Sequence, residues 1–189
     1  MTEADLICFV NAQDHVYSQV VKELTDGRKR THWMWFIFPQ LKGLAHSAMA
    51  QRYAIRDLAQ ARAYLSDPIL GMRLRHHVRL LARHKGKSAL EILGPPDDLK
   101  FRSCLTLFGE AAIDNSDRLL FKEALDQFYG GEPDPHTLEL LRPMMTNAAA
   151  LARPGMKCSV KAPSPPPVTT SEAATESPHQ RSPTAFPGW

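Results

Sequence analysis

The sequence lacks the motifs that identify the common classes of enzyme and metalloprotein. Its three cysteines form no Cys-x-x-Cys pair and leave at least one thiol unpaired, which is typical of a protein from a reducing compartment. The eight histidines include no His-Glu-x-x-His motif and no pair four residues apart. Gly-x-Ser-x-Gly and the glycine-rich phosphate loops are absent as well. The sequence therefore predicts no metal site and no cofactor.

Long apolar runs and targeting signals are also missing. The longest apolar run, Trp33–Pro39, is far shorter than the roughly 20 residues that cross a bilayer. The first five residues are acidic and lack the basic and apolar regions of a secretion signal. We therefore expect a cytoplasmic protein that does not contact a membrane.

The chain has little excess charge, and that excess is unevenly placed. Up to Arg142 there are 19 Lys/Arg and 18 Asp/Glu, which gives a net charge of +1. The rest of the chain holds four Lys/Arg and two Asp/Glu, which gives +2. A nearly neutral domain is not typical of a general polyanion binder, so net charge argues against nucleic acid as the partner.

Helix start and stop signals are frequent and well placed. Capping side chains precede apolar runs of helical spacing, and glycines follow several of these runs. No stretch shows sustained period-two alternation. The sequence predicts an all-α domain over residues 3–142. Helix starts are expected at Asp14, Ser47, Asp57, Asp67, Ser88, Asp97, Ser116 and Asp134, and stops at Gly27, Gly86, Gly94 and Gly130.

The C-terminal quarter of the chain has a different composition. Residues 143–189 hold nine of the 15 prolines and few large apolar residues. Such a segment buries too little apolar surface to offset its ordering entropy. It is predicted to be a disordered Pro/Ser/Ala-rich tail.

The most informative segment is the aromatic run from Trp33 to Phe38. At helical spacing its six apolar side chains cover the whole circumference, so other helices must surround it. Pro39 ends this helix, because the residue before a proline disfavours helical geometry. We predict a single compact domain of several helices packed around this short buried helix, whose buried indole N–H needs an acceptor.

The flanks of the aromatic run are basic and polar. Arg28, Lys29 and His32 precede it, and Gln40, Lys42 and His46 follow it, which suggests a pocket for an anionic, planar ligand. Packing alone is a sufficient reason for the aromatic residues, and Arg28–Arg30 are equally consistent with solvated residues after a helix stop.

A second basic feature lies on the helix that follows Pro68. Arg75, His76, Arg79 and Arg83 occupy one side of it, a pattern usually typical of a solvated face. His77 lies on the opposite, apolar side and is predicted to be a hydrogen-bonded core histidine.

Four stretches of the chain resemble a bacterial domain-of-unknown-function family, numbered eighteen-ten. They are Phe9–Asp14, Gly27–Leu44, Ser47–Tyr53 and Asp98–Ser103, and the resemblance extends over about residues 5–142. It implies an all-helical fold and no particular activity. Members are sometimes labelled calpastatin, although calpain inhibitors resemble disordered repeats, whereas this chain has no internal repeat.

The leading functional hypothesis is a site for a small anionic, partly planar ligand such as a nucleotide derivative. His32 is the best general acid/base by residue type, although the sequence does not decide whether the protein is an enzyme. The alternative is a non-enzymatic interaction or regulatory module that uses the basic helix or the tail. The predicted ligand-binding residues are Gln13, Lys29, His32, Trp33, Trp35, Gln40, Tyr53 and Lys100.

Overall fold

The computed structural model describes residues 4–151, and within this range the chain forms ten helices and no β-strand. Within the same range, Leu41 and Ile55 form an isolated β-bridge outside any strand. The predicted all-α fold is therefore confirmed. The helices are α1 (Ala4–Asp14), α2 (Tyr17–Asp26), α3 (Met34–Ile37), α4 (Ala48–Arg52), α5 (Leu58–Ser66), α6 (Leu70–Ala82), α7 (Ala89–Leu93), α8 (Asp97–Ala111), α9 (Asn115–Tyr129) and α10 (Pro135–Leu151).

Helix α8 lies at the centre of the packing. It contacts α5, α7, α9 and α10, while α6 packs against α2, α5 and α9. Eight of its fifteen residues are buried, among them Phe101, Leu105 and Phe108. A helix buried on more than one face needs neighbours on each of them, and the surrounding helices provide these contacts.

The aromatic run is a short buried helix, as predicted. Met34–Ile37 forms α3, and Trp33 and Phe38 lie at its two ends. Phe38 packs edge-on against Phe101 of α8 with ring centroids 4.7 Å apart. Trp35 is the exception, since it is half-buried while the other five side chains are buried. The run is therefore a core element with one side chain at the surface.

Several predicted helix caps are present. The side chains of Ser47, Asp57 and Ser88 accept backbone hydrogen bonds at the starts of α4, α5 and α7. Gly27 ends α2 in the left-handed conformation, with φ of 64°.

Two predicted helix starts are wrong, and so is one predicted stop, since α6 ends at Ala82 and not at Gly86. Asp14 is the last residue of α1 and pairs with Arg73 at 2.6 Å, while α2 follows Val16 without a side-chain cap. Ser116 lies inside α9, because Asp114 accepts the backbone N–H of Ser116 and provides the cap two residues earlier. At α9 a nearby residue of suitable type therefore takes the capping role, whereas α2 begins without a side-chain cap.

The last helix continues beyond the predicted domain boundary. The predicted boundary is residue 142, whereas α10 includes Pro143 and extends to Leu151. Residues 152–189, which make up most of the predicted disordered tail, lie outside the described residues. That part of the prediction remains a prediction.

His77 is buried in α6 but is not hydrogen-bonded as predicted. Neither ring nitrogen has a partner among the described residues, and the ring lies beside those of Tyr17, His76 and Phe38. Burial, with smaller contributions from His76 and Arg73, lowers its pKa from 6.5 to about 3. The unfolded chain therefore binds this proton more tightly. Stability is fully present above pH 6.5 and declines as the pH falls towards 3.

We predict that His77→Leu flattens the acid side of the stability profile. Between about pH 6 and 4 the wild-type histidine contributes up to about 1.4 kcal/mol of lost stability per pH unit, and the apolar variant has no such proton. Urea unfolding at several pH values measures the slope. His15→Gln removes an exposed histidine as a control. An unchanged slope in His77→Leu would contradict this assignment.

Candidate functional site

A buried carboxylate fixes the entrance to the aromatic run. Glu23 of α2 is fully buried and accepts hydrogen bonds from the backbone N–H groups of Arg30 (2.8 Å) and Thr31 (3.2 Å). It also accepts the Trp33 indole N–H at 2.8 Å. This carboxylate is the acceptor that the buried indole required, and it ties the loop after α2 to the start of α3.

The hydrogen bonds to Glu23 outweigh the cost of burying its charge. Burial raises the pKa of the carboxyl, but donors from Gln19, Arg30, Trp33 and Thr31 lower it to about 2 in total. The ordinary value is 4.5, so this contribution to stability is present above pH 4.5. It is lost as the pH falls towards 2.

Asp97 joins the two predicted lysines into one ion-pair cluster. Its carboxylate oxygens lie 2.9 Å from Lys29 Nζ and 2.7 Å from Lys100 Nζ. Burial raises the pKa of Asp97, yet the two lysines hold it below its ordinary value. The ammonium groups also lie over indole rings, Lys29 over Trp33 at 5.1 Å and Lys100 over Trp35 at 5.6 Å. These cations are therefore largely engaged within the protein.

The loop after the aromatic run is held by backbone pairing. Ile55 donates its N–H to the Gln40 carbonyl at 2.8 Å, and Lys42 donates to the Ile55 carbonyl at 2.7 Å. Gly43 has φ of 104°, a conformation that favours glycine, and it faces Leu140 of α10. The loop of residues 40–46 therefore has a fixed position, with a cleft on each side of it.

The first cleft, which we call the aromatic cleft, has a volume of about 460 Å³. This size is within the range of small-molecule sites. Its lining includes the basic side chains of Lys42 and His46 and contains no carboxylate residue. The lining residues are Trp35, Gln40, Leu41, Lys42, Gly43, Ala45, His46, Ala50, Gln51, Tyr53 and Ala54.

Polar side chains of the aromatic cleft have unused hydrogen-bonding capacity. Among the described residues, nothing hydrogen-bonds the side chains of Trp35, Gln40, Lys42 or Tyr53. Tyr53 is nevertheless 6% exposed, with its ring packed edge-on against Phe36. Tyr53 is therefore a largely buried residue that also lines the cleft.

The second cleft, which we call the α8–α10 cleft, has a volume of about 730 Å³ and differs in charge. Lys100 and Arg102 lie on its α8 wall, while Asp134 and Glu139 lie on the other side. Asp134 also accepts hydrogen bonds from Ser103 and Thr137 at the start of α10. Since both signs of charge are present and partly engaged, this cleft is less selective for anions.

The structure brings some of the predicted site residues together. Trp35, Gln40 and Tyr53 line the aromatic cleft, while Gln40 and Lys100 line the α8–α10 cleft. Lys29 and Trp33 lie next to Trp35 and Lys100 but line neither cleft, because Asp97 and Glu23 engage them.

Gln13 and His32 lie away from both clefts. Gln13 is 1% exposed and donates to the Phe36 carbonyl at 2.8 Å and the Tyr64 hydroxyl at 2.9 Å, so its side chain belongs to the core. His32 is exposed and lines neither cleft. Its role as a general acid/base therefore remains a prediction without a neighbouring cleft.

Sequence reasoning missed other cleft residues. Lys42, His46 and Gln51 line the aromatic cleft but were not among the predicted ligand-binding residues. The sequence does contain a signal for two of them, since Lys42 and His46 are basic residues that follow the aromatic run. Their position on the same side as Tyr53 depends on the pairing of Leu41 with Ile55, which spacing does not reveal.

Comparison with known proteins identifies the family. The model for "Protein of unknown function (DUF1810)" matches residues 3–141. The chain belongs to this family. It is similar to the conserved hypothetical protein Rv1873 from Mycobacterium tuberculosis, known from a crystal structure at 1.38 Å, with 50% sequence identity and a TM-score of 0.70. That match covers 73% of this chain and 96% of the other, and no curated protein matches.

The described part of this DUF1810 domain contains neither a metal-binding cluster nor a membrane-spanning helix. Within residues 4–151, no three His, Cys, Asp or Glu side chains are grouped so that they would hold a metal ion. No helix in that part of the chain has the length and apolarity needed to span a membrane. Cys104 is buried in α8, and burial raises the pKa of its thiol well above the ordinary value. A neutral buried thiol is a packing residue.

We predict that Glu23→Gln destabilises the domain by about 2–3 kcal/mol, because a charged acceptor is lost and an amide N–H₂ faces buried donors. Thermal and urea unfolding at pH 7 measure the change. Asp26→Asn, three residues along α2, alters an exposed carboxylate and should have almost no effect. Equal stabilities of the two variants would show that Glu23 does not organise this region.

Proposed function

We propose that the domain binds a small anionic, partly planar ligand, such as a nucleotide derivative, in the aromatic cleft. The observation that supports this most directly is the lining of that cleft. It combines aromatic side chains with hydrogen-bond donors and basic side chains, and it contains no carboxylate residue. A ligand rich in acceptor oxygens and negative charge complements such a lining.

The proposed charge contacts are Lys42 and His46 rather than Lys29 and His32. Among the described residues Lys42 has no carboxylate partner, whereas Lys29 shares Asp97 with Lys100. A ligand anion at Lys42 would therefore not need to displace an existing ion pair. This lowers the cost of binding, since no protein contact is broken.

The planar part of the ligand is assigned to the half-buried Trp35, because the Tyr53 ring is buried and Arg52 lies over it at 5.4 Å. Lys100 lies over the Trp35 ring, and the Tyr53 ring is held edge-on by Phe9 and Phe36. Held in this way, the Trp35 ring loses little freedom when a ligand arrives. Stacking of a nucleobase on such a ring contributes about 1–3 kcal/mol.

Binding, rather than a defined reaction, is what this geometry supports. His46 is a titratable side chain in the cleft lining, whereas His32 lies outside it. No described lining residue forms a nucleophile–base pair with His46. We therefore assign no catalytic residue.

The alternative, an interaction module that uses the basic helix, is weakened by the packing of α6. Arg75 makes two 2.6 Å contacts with the Asp117 carboxylate, and His76 contacts the Tyr17 hydroxyl at 3.0 Å. Half of the predicted basic face thus holds α6 to its neighbours. The tail, the other predicted contact surface, lies outside the described residues.

A thermal-shift screen of the full chain against nucleotides and related metabolites tests the proposal. A compound present at about 100 times its dissociation constant should stabilise the domain by about 2.7 kcal/mol. Calorimetry on any hit should then show at least about tenfold weaker binding in Trp35→Ala and in Lys42→Ala, equivalent to about 1.4 kcal/mol.

Two variants serve as matched controls for this screen. His32→Ala and Lys22→Ala remove exposed basic side chains outside the aromatic cleft and should leave affinity unchanged. The proposal fails if no compound raises the melting temperature. It also fails if a hit binds Trp35→Ala and Lys42→Ala as tightly as wild type.

A further inference from the structure

Two basic segments that are distant in the sequence meet at one end of the domain. The C-terminal ends of α2 and α6 lie side by side, since His84 Nε2 contacts the Leu24 carbonyl at 2.8 Å and Lys87 Nζ donates to the Gly27 carbonyl at 3.2 Å. Gly27 allows this approach, because a Cβ there would lie 2.8 Å from the His84 ring. We call the resulting surface the basic end. It comprises Arg28, Arg79, Arg83, Lys85 and Lys87.

The side chains of the basic end are exposed, and the described part of the chain offers them no carboxylate within ion-pair distance. All five are solvent-exposed, and none of them forms an ion pair with any residue of the described part of the chain. Elsewhere in the domain the cations are commonly paired, as Arg30 is with Asp26 and Arg75 with Asp117. Lys87 interacts electrostatically with Glu91, and the basic end is otherwise a concentration of positive charge without ion pairs among the described residues.

Helix dipoles explain only part of this concentration. Cations near a helix C-terminus contribute about 0.3–1 kcal/mol each by facing the free carbonyl groups. Lys87 makes such a contact at the end of α2. The side chains of Arg28, Arg79 and Arg83 make no hydrogen bond within residues 4–151. Three guanidinium groups thus face solvent without a structural role in the fold.

We propose that the basic end binds the phosphate backbone of duplex nucleic acid. Phosphate contacts need exposed Lys and Arg side chains and no apolar centre. A protein partner normally requires an apolar core in the interface, and none of the exposed large apolar side chains described belongs to residues 79–87, although Met72 and Leu90 flank that segment. Binding of single strands relies on stacking aromatic rings, and no aromatic residue is among the exposed large hydrophobic side chains described.

The net charge of the whole domain does not reveal a local cluster of positive charge such as the basic end. The sequence argued against nucleic acid because residues up to Arg142 sum to +1. The fold separates the charges, so that Asp97 and Asp117 compensate lysines and arginines elsewhere while the basic end keeps its excess. Local charge density determines counterion release, and that is what drives binding to a polyanion.

Fluorescence anisotropy with a short labelled DNA duplex of mixed sequence tests this inference. The wild-type chain should bind at low salt, and its affinity should fall steeply as salt rises. The triple variant Arg28→Glu, Arg79→Glu and Arg83→Glu should lose at least about tenfold in affinity. Its salt slope should decrease by roughly one unit per lost phosphate contact.

A second triple variant separates location from total charge. Arg62→Glu, Lys122→Glu and Arg142→Glu change the net charge by the same amount at exposed positions outside the basic end, and this variant should retain most of the affinity. Melting temperatures verify that both proteins are folded. If the first triple variant is unstable, the neutral set Arg28→Gln, Arg79→Gln and Arg83→Gln replaces it and should still weaken binding.

Three outcomes would overturn the inference. The wild-type chain fails to bind the duplex at low salt, or the two triple variants lose affinity equally, or polyglutamate binds the basic end while duplex DNA does not. The last result would indicate an acidic protein partner. None of these measurements depends on a ligand in the aromatic cleft, so the two proposals fail or succeed separately.

Discussion

The arrangement of the whole site depends on one buried carboxylate. Glu23 is removed from water, and its cost of burial is offset by hydrogen bonds from the loop after α2 and from the Trp33 indole. This loop cannot move without leaving a charge unsatisfied in the core. The direction in which the aromatic run enters the domain is therefore set by its contacts with Glu23.

The difference in burial between Trp33 and Trp35 follows from this constraint. Once Trp33 is anchored to Glu23, a rotation of about 100° per residue along α3 turns Trp35 away from that carboxylate. Trp35 comes to lie half-buried beside the loop of residues 40–46, where Lys100 covers its ring. The same short helix thus fills the core and provides one wall of the aromatic cleft.

Much of the fold was predictable from local signals, because capping side chains and apolar spacing act within a few residues. The buried aromatic helix and the starts at Ser47 and Ser88 belong to this class. The site was less predictable, since its charges are decided by distant residues. Nothing in the spacing shows that Asp97 engages Lys29, or that His77 is buried without a hydrogen-bond partner.

Hydrogen exchange of the tryptophan indole N–H groups, followed by NMR with Trp33→Phe and Trp35→Phe for assignment, tests the central claim most directly. The account predicts a strongly protected Trp33 signal, because that N–H is buried on Glu23, and rapid exchange for Trp35. Rapid exchange of Trp33, or equal protection of both indoles, would contradict the division of the aromatic run into a buried anchor and a cleft wall.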